Sequence, residues 1–369
     1  MSSSGKVSPV KVAVLGSGNG GCAVAFDFAS HGHVVNLFDF EAFPETIAAV
    51  SASGGIVAAG DLEGFAPVVY AGHSIATAMD GADLLLAVGP AYSTAPFGEA
   101  CRPYLQSGQV AIVCPNSCGG ALAFKAAAGL AWDDFSVVVA DTSTLPYAVR
   151  LVEPGRIHVF LKVKSGVSLA ALPARRTARV LAMVADVYPT WEAARNVLFT
   201  ALSNGNPVIH PAVTIANAAQ IERTGGDLLF YEEGVTKSVG RLMEAVDRER
   251  AAIGEALGLR IRSDPDLGHE QGYMSEPTYY PGYMKAPGFK GIKSQSQLDH
   301  RYFNEDAGYG LVFLHSLGEQ IGVPTPTMDA VLHVASTMMG RDYLAEGART
   351  METLGLAGYS ATELVQLLG

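Results

Sequence analysis

Residues 10 to 39 constrain the fold of this chain more than any other stretch. They read V-K-V-A-V-L-G-S-G-N-G-G-C-A-V-A-F-D-F-A-S-H-G-H-V-V-N-L-F-D. Val10 to Leu15 is an apolar, β-branched run of the kind that forms a buried strand. Gly16, Gly18 and Gly21 break it with G-x-G-x-x-G spacing, and a helical period follows, with Ala23, Phe26, Asp27 and Ser30 a turn apart. Gly32 allows a turn into a second apolar run, Val34 to Phe38, which ends on Asp39. With 41 glycines in the chain, the spacing alone would match by chance. Its place between a strand and a helix, with an acid closing the next strand, makes it a dinucleotide fingerprint.

Each position has a physical reason. Gly16 permits the tight turn, Gly18 lets a pyrophosphate approach the backbone, and Gly21 lets helix and strand pack closely. The N–H groups of Ser17, Gly18, Asn19, Gly20 and Gly21 open the helix, where the dipole favours phosphate. Asp39 is suited to accept hydrogen bonds from ribose hydroxyls and would repel a 2′-phosphate. NAD is therefore the expected cofactor, with NADP as the alternative.

Composition narrows the class. At 369 residues, two or three domains are expected. A net charge of −11 without a basic tract argues against nucleic acid or an acidic membrane as partner. Cys22, Cys101, Cys114 and Cys118 form neither a C-x-x-C pair nor a disulfide framework, and no metal site is expected from them. The first nine residues are polar and read as a frayed lead without the apolar core of a signal peptide. No apolar run is long enough to span a membrane, so a cytoplasmic protein is expected.

From Asp39 to Asp141, apolar runs alternate with helical periods. Strands are expected around Gly55 to Val69, at Asp83 to Val88, at Gln109 to Cys114 and at Ser136 to Asp141. Helices are expected at Ala42 to Ser53, Ile75 to Asp80, Tyr92 to Tyr104 and Ala121 to Leu130. This alternation predicts a doubly wound parallel sheet of the Rossmann type. The loops at 89–91, 115–120 and 141–143 should leave one sheet edge, near the cofactor, or serve as ordinary connections. Arg156 to Ser165 alternates like a half-exposed strand, and Ala174 to Val187 reads as a helix. The dinucleotide-binding domain is assigned to 1–195 and a helical domain to 196–369.

In the second half, helices are expected at Pro211 to Glu222, Phe230 to Leu257, Leu311 to Ile321, Pro326 to Gly340, Tyr343 to Glu346 and the terminal A-T-E-L-V-Q-L-L. Residues 258–310 are expected to be irregular. His210, in S-N-G-N-P-V-I-H-P, falls just before a helix. Arg301 and Asp306 fall in D-H-R-Y-F-N-E-D-A-G-Y-G. A histidine suits proton donation near neutrality, a carboxylate would orient it, and a guanidinium would grip a substrate carboxylate in a fork. Helix capping or core burial of His210, and surface charges at helical spacing for the other two, are the alternative readings.

The chain also resembles the opine dehydrogenases, a family that includes octopine and nopaline dehydrogenases. The resemblance rests on V-L-G-S-G-N-G-G, P-N-S-C-G-G-A-L, L-S-N-G-N-P-V-I-H-P-A, Y-E-E-G-V-T-K-S-V-G, R-Y-F-N-E-D and G-V-P-T-P. It implies reductive condensation of an α-keto acid with the amino group of an amino acid, using NAD(P)H. By resemblance His210 and Asp306 match the catalytic pair and Arg301 a substrate-carboxylate ligand, with Asn206 placed to help position substrate. Tyr273, Tyr279, Tyr280 and Tyr283 are expected either to select the amino acid or to anchor their loop. A homodimer is the expected assembly. Two other functions fit the same plan: a 2-keto or 3-hydroxy acid dehydrogenase, and a non-catalytic dinucleotide sensor.

Overall fold

The structure, a computed structural model, describes residues 9–369. The expected frayed lead falls outside the described residues, apart from Pro9. The first unit comprises residues 9–116 and Gly120–Val197, and the second comprises Ser117–Gly119 and Leu198–Leu368. The division falls two residues past the expected one, and a three-residue loop groups with the helical unit.

The first unit carries strands β1 (Lys11–Leu15), β2 (Val34–Phe38), β3 (Gly55–Gly60), β4 (Gly64–Pro67), β5 (Tyr70–Gly72) and β6 (Leu84–Ala87). It continues with β7 (Val110–Val113), β8 (Val138–Thr142), β9 (Tyr147–Glu153), β10 (Arg156–Lys162), β11 (Ser168–Leu172) and β12 (Glu192–Ala193). Its helices are α1 (Asn19–Ser30), α2 (Pro44–Ser53), α3 (Ile75–Met79), α4 (Ala91–Cys101), α5 (Gly120–Ala127) and α6 (Thr177–Val184).

Eight strands form one sheet in the order β12-β11-β8-β7-β6-β1-β2-β5. From β8 through β5 every pairing is parallel, and β11 runs antiparallel to β8. The central strands read as unbroken apolar runs because both faces are covered: all four residues of β6 and of β7 are buried. The strand order places the loops after β1, β6, β7 and β8 along one edge, as expected of a doubly wound sheet.

A second, four-stranded sheet runs β4-β3-β10-β9. It explains why α1 lacks a polar face. This helix touches β1 and β2 of the large sheet as well as β3, β4, β9 and β10 of the small one. Gly21 through Ala29 are consequently all buried. Asp27, fully buried in that helix, meets Lys162 Nζ at 2.6 Å and accepts from the Tyr147 hydroxyl at 2.6 Å, both through Oδ2. Tyr147 in turn meets the Tyr188 hydroxyl at 2.7 Å. An acid in an apolar helix thus pins α1 beneath the second sheet.

The second unit is helical: α7 (Val197–Leu202) leads in from the first unit, followed by α8 (Asn206–Thr224), α9 (Lys237–Ala256), α10 (Asp264–Glu270), α11 (Gly282–Lys285), α12 (Arg301–Asn304), α13 (Val312–Ile321), α14 (Pro326–Met339), α15 (Tyr343–Glu346) and α16 (Ala361–Leu368). Helices α9 and α14 pack on α8 and on each other, burying Val213, Ile221, Met243, Val246, Ile253 and Leu332. Residues Asp306–Leu311 are wound as a π-helix leading into α13.

Three sequence expectations need correction here. His210 does not precede its helix but lies inside it, because α8 starts at Asn206 with Pro207 in its first turn. Proline at a helix start loses nothing, and Pro211 proves to be an interior proline instead. The helix expected from Phe230 starts only at Lys237, capped by Thr236. Residues 230–234 form turns, with Gly234 N–H bonded to the Leu229 carbonyl and Asn217 to the Gly234 carbonyl. Finally, 258–310 is not simply irregular, since α10, α11 and α12 lie within it.

Candidate functional site

The glycine loop behaves as its spacing requires. Gly16 has φ +107°, a region L side chains avoid, and a Cβ there would collide with the Val88 carbonyl. A Cβ on Gly21 would fall far inside van der Waals contact with the Gly16 carbonyl, so this glycine sets how closely α1 approaches β1. Gly18 is different: its φ is −74°, and nothing lies within 4 Å of where its Cβ would be. No protein atom demands a glycine there. The open space is a cradle over the helix start, and it fits the close backbone approach of a pyrophosphate. Cys22 N–H makes the first intrahelical bond, to the Gly18 carbonyl. The N–H groups of Asn19, Gly20 and Gly21 therefore have no acceptor within the helix.

Other members of the loop have structural duties as well. The Asn19 side chain accepts from Leu151 N–H at 2.6 Å, on β9, so only its backbone faces the loop. A Cβ on Gly20 would press on Leu145 and Val88. Asp39 is buried and already engaged: one carboxylate oxygen accepts from Ser17 N–H at 2.7 Å and Ser17 Oγ at 2.8 Å, and the other from Phe40 N–H at 2.9 Å. These bonds tie the carboxylate to the glycine loop and leave lone pairs for a diol.

In the helical unit, α8 and the π-helix bring together two residues 96 positions apart. Asp306 Oδ2 lies 2.6 Å from His210 Nδ1, with both side chains buried. The other ring nitrogen, Nε2, lies 3.1 Å from the Tyr231 hydroxyl. The imidazole stacks on Tyr302, with centroids 3.9 Å apart and planes at 24°, and Phe230 meets it edge-on. Burial, with Tyr302 and the acids Asp264 and Asp306 adding to it, holds the Tyr231 phenol well above its ordinary pKa, so it stays a neutral hydroxyl. The reading of His210 as a helix cap is excluded by its place in α8, and the reading of Asp306 as a surface charge by its burial.

Arg301 is half-exposed, and its Nε donates to Glu305 Oε2 at 3.0 Å. Burial works against its charge, but the carboxylates of Glu305 and Asp306 outweigh it and hold the guanidinium pKa above its usual value. Asn206 lies one turn before His210 on α8, with its N–H bonded to Asn204 Oδ1 at 3.1 Å.

The tyrosine-rich span divides. Tyr279 donates to Asp247, Tyr283 is buried and stacks on Phe289, and Tyr273 also stacks on Phe289. These three anchor the loop, whereas Tyr280 is exposed. Tyr231, Tyr302, Glu305 and Ser117 were not singled out by sequence reasoning. Glu305 was findable as the acid four residues after Arg301. Tyr231 gives no spacing signal, because tertiary packing alone brings it to His210. All four cysteines are buried, their thiols pushed up to about 12 by burial. Among the described residues no cluster of three His, Cys, Asp or Glu could hold a metal, and no helix is long and apolar enough to cross a membrane.

Comparison with known proteins adds an independent line. Residues 193–339 match the family described as NAD/NADP octopine/nopaline dehydrogenase, alpha-helical domain. The chain is 37% identical over 352 residues to an opine dehydrogenase of Arthrobacter sp. (strain 1C), covering 95% of this chain and 96% of that one. It is 28% identical to protein ocs of Agrobacterium tumefaciens (strain Ach5), over 97% and 99% of the two chains. In three dimensions it is similar to an octopine dehydrogenase solved with NADH and L-arginine, with a TM-score of 0.79 and 18% identity over 96% and 98% of the chains.

Proposed function

The chain belongs to the opine dehydrogenase family, and from that premise we propose that it condenses a pyruvate-like α-keto acid with the amino group of an amino acid, at the expense of NAD(P)H. Amine and keto carbon join with loss of water as an imine, whose reduction gives an N-(carboxyalkyl) amino acid. The observation that carries this reading is the buried His210–Asp306 pair, with the Arg301 guanidinium contributed by the same short segment as Asp306.

The residues divide the work. The N–H groups of Asn19, Gly20 and Gly21, with the space over Gly18, would hold the pyrophosphate, and Ser17 keeps Asp39 turned to the loop for a ribose. When bound, the dinucleotide supplies a hydride. The carboxylate at Asp39 supports NAD over NADP. Asp306 accepts the Nδ1 proton of His210, which leaves Nε2 to take and give protons during water loss and reduction. The resulting imidazolium is stabilised by the buried carboxylate. Arg301 receives one substrate carboxylate in a planar fork, and Asn206 supports substrate orientation. We extend the proposal to a cytoplasmic homodimer. Four buried cysteines with no C-x-x-C spacing support the reducing compartment, and a light-scattering mass at assay concentration tests the dimer.

The deciding experiment follows NADH oxidation across pairs of α-keto acids and amino acids. Oxidation that requires both partners, with a secondary amine dicarboxylate as product, is the expected result. Oxidation by keto acid alone would replace this reading with a simple keto acid dehydrogenase. NADH binding without turnover on any pair would replace it with a dinucleotide sensor.

A further inference from the structure

Glu305 and Asp306 are adjacent, buried carboxylates that serve different basic side chains. Asp306 faces His210, whereas Glu305 faces Arg301. The π-turn separates them: the Glu305 carbonyl accepts from both Tyr309 N–H and Gly310 N–H, which widens the backbone where the two side chains diverge. A carboxylate as buried as Glu305 needs partners for both oxygens. Oε2 has Arg301 Nε, and Oε1 receives the Ser117 hydroxyl at 3.1 Å.

Ser117 is itself held in an unusual conformation. It has φ +44° and Cys118 has φ +60°, two successive non-glycine residues in the left-handed region. Such residues are strained and persist only where their surroundings impose them. Here the imposing group is Arg349, almost completely buried, whose Nη1 donates to the Ser117 carbonyl at 2.7 Å and the Cys118 carbonyl at 3.0 Å. A chain of contacts therefore runs from Arg349 through the Ser117 backbone and hydroxyl to Glu305, and on to Arg301.

The end of that chain is specific. Glu305 engages Nε, so the guanidinium plane is fixed through its inner nitrogen. The two terminal nitrogens have no hydrogen-bond partner among the described residues. An arginine held in this way presents a ready fork to a carboxylate, whereas an untethered one would lose side-chain freedom on binding.

We propose that Glu305, Ser117 and Arg349 are positioning residues that fix the plane of Arg301 for one substrate carboxylate. The proposal rests on the reading of Arg301 as the carboxylate clamp. Its test measures kcat, the KM of keto acid and amino acid separately, NADH affinity and melting temperature for Arg301→Ala, Glu305→Met, Glu305→Gln and Ser117→Ala. Glu305→Met keeps the volume but cannot accept, and is expected to raise one carboxylate KM by about tenfold with kcat within about twofold. Ser117→Ala, the mildest change to the fold, is expected to raise the same KM by about threefold. Glu305→Gln retains an acceptor for Nε and is expected to restore most of the affinity.

Two failures are distinct. If Arg301→Ala leaves both KM values unchanged, the clamp itself is wrong. If Arg301→Ala raises one KM but Glu305→Met and Ser117→Ala do not, the clamp stands and the positioning chain is overturned. Variants that lower kcat and melting temperature together at constant KM would also overturn it, because that pattern belongs to a purely structural contact.

Discussion

The Oδ2 of Asp306 lies 2.6 Å from the Nδ1 of His210, in a setting from which water is almost excluded. A carboxylate so placed fixes which ring nitrogen carries the proton and stabilises the imidazolium once it forms. Asp306→Asn preserves shape but removes the charge and allows the other tautomer. A loss of about 10³–10⁴ in kcat is expected, by analogy with the same substitution in a His-Asp pair of hydrolases. NADH affinity, measured by fluorescence titration, should stay within about twofold of the parent, since the proposal assigns that binding to the glycine loop. A variant retaining more than about a tenth of the activity would remove Asp306 from the mechanism.

The glycines of the loop separate fold from binding. Gly21→Ala places a methyl group against the Gly16 carbonyl and should loosen α1 from β1, lowering the melting temperature and the NADH affinity together. Gly18→Ala meets no protein atom within 4 Å and has an ordinary φ. It should leave the melting temperature within a few degrees of the parent while weakening NADH by at least about tenfold, because the methyl occupies the pyrophosphate's space. Equal effects of the two substitutions on stability would show that Gly18 also has a structural duty.

Asp39 offers a test of cofactor choice. Removing the side chain altogether would strand the Ser17 N–H, the Ser17 hydroxyl and the Phe40 N–H in a buried place. Each such loss costs about 1–3 kcal/mol, so Asp39→Ala confounds binding with stability. Asp39→Asn keeps an acceptor and cancels the negative charge. The ratio of NADPH to NADH dissociation constants should fall by about tenfold, since a 2′-phosphate no longer meets a carboxylate. An unchanged ratio would place the discrimination elsewhere in the loop.

The parts of the fold that showed in the sequence are those whose burial is uniform. Leu84–Ala87 and Val110–Val113 are covered on both faces, so each reads as an unbroken apolar run. Strand β9 does not stand out in the sequence although Tyr147–Glu153 alternates, because its partner face belongs to a second sheet that no local pattern announces. The start of α8 is ambiguous in the sequence because two prolines compete for the first turn, and Pro207 rather than Pro211 takes it. Residue chemistry and family blocks point to His210, Asp306 and Arg301, and the structure brings the first two within hydrogen-bond distance. Ser117 and Arg349 are not legible in the sequence, since they are 232 residues apart and meet through backbone carbonyls, which any sequence possesses.

A last prediction concerns a buried pair of carboxylates, Asp247 and Asp264. The Asp264 N–H donates to Asp247 Oδ2 at 2.8 Å, Arg250 Nε donates to Asp247 Oδ1 at 2.6 Å, and Tyr279 donates to Asp247 as well. Asp247 thus takes the available donors, and the Asp264 carboxyl is pushed up to about 7, first by burial and then by the Asp247 charge, with Arg250 opposing. In the unfolded chain the same group titrates near its ordinary 3.8. Between these values the folded state binds the extra proton, so its stability falls as pH rises from about 4 to about 7 and levels off above. The slope contributed is at most about 1.4 kcal/mol per pH unit. Asp264→Asn mimics the protonated form and should abolish this contribution. Urea midpoints for parent and variant, taken from pH 5 to pH 8.5, should show the variant gaining on the parent as pH rises to about 7, with no further gain beyond. Parallel curves across that range would mean that Asp264 is charged in the folded protein throughout, and that Arg250 rather than a proton balances it.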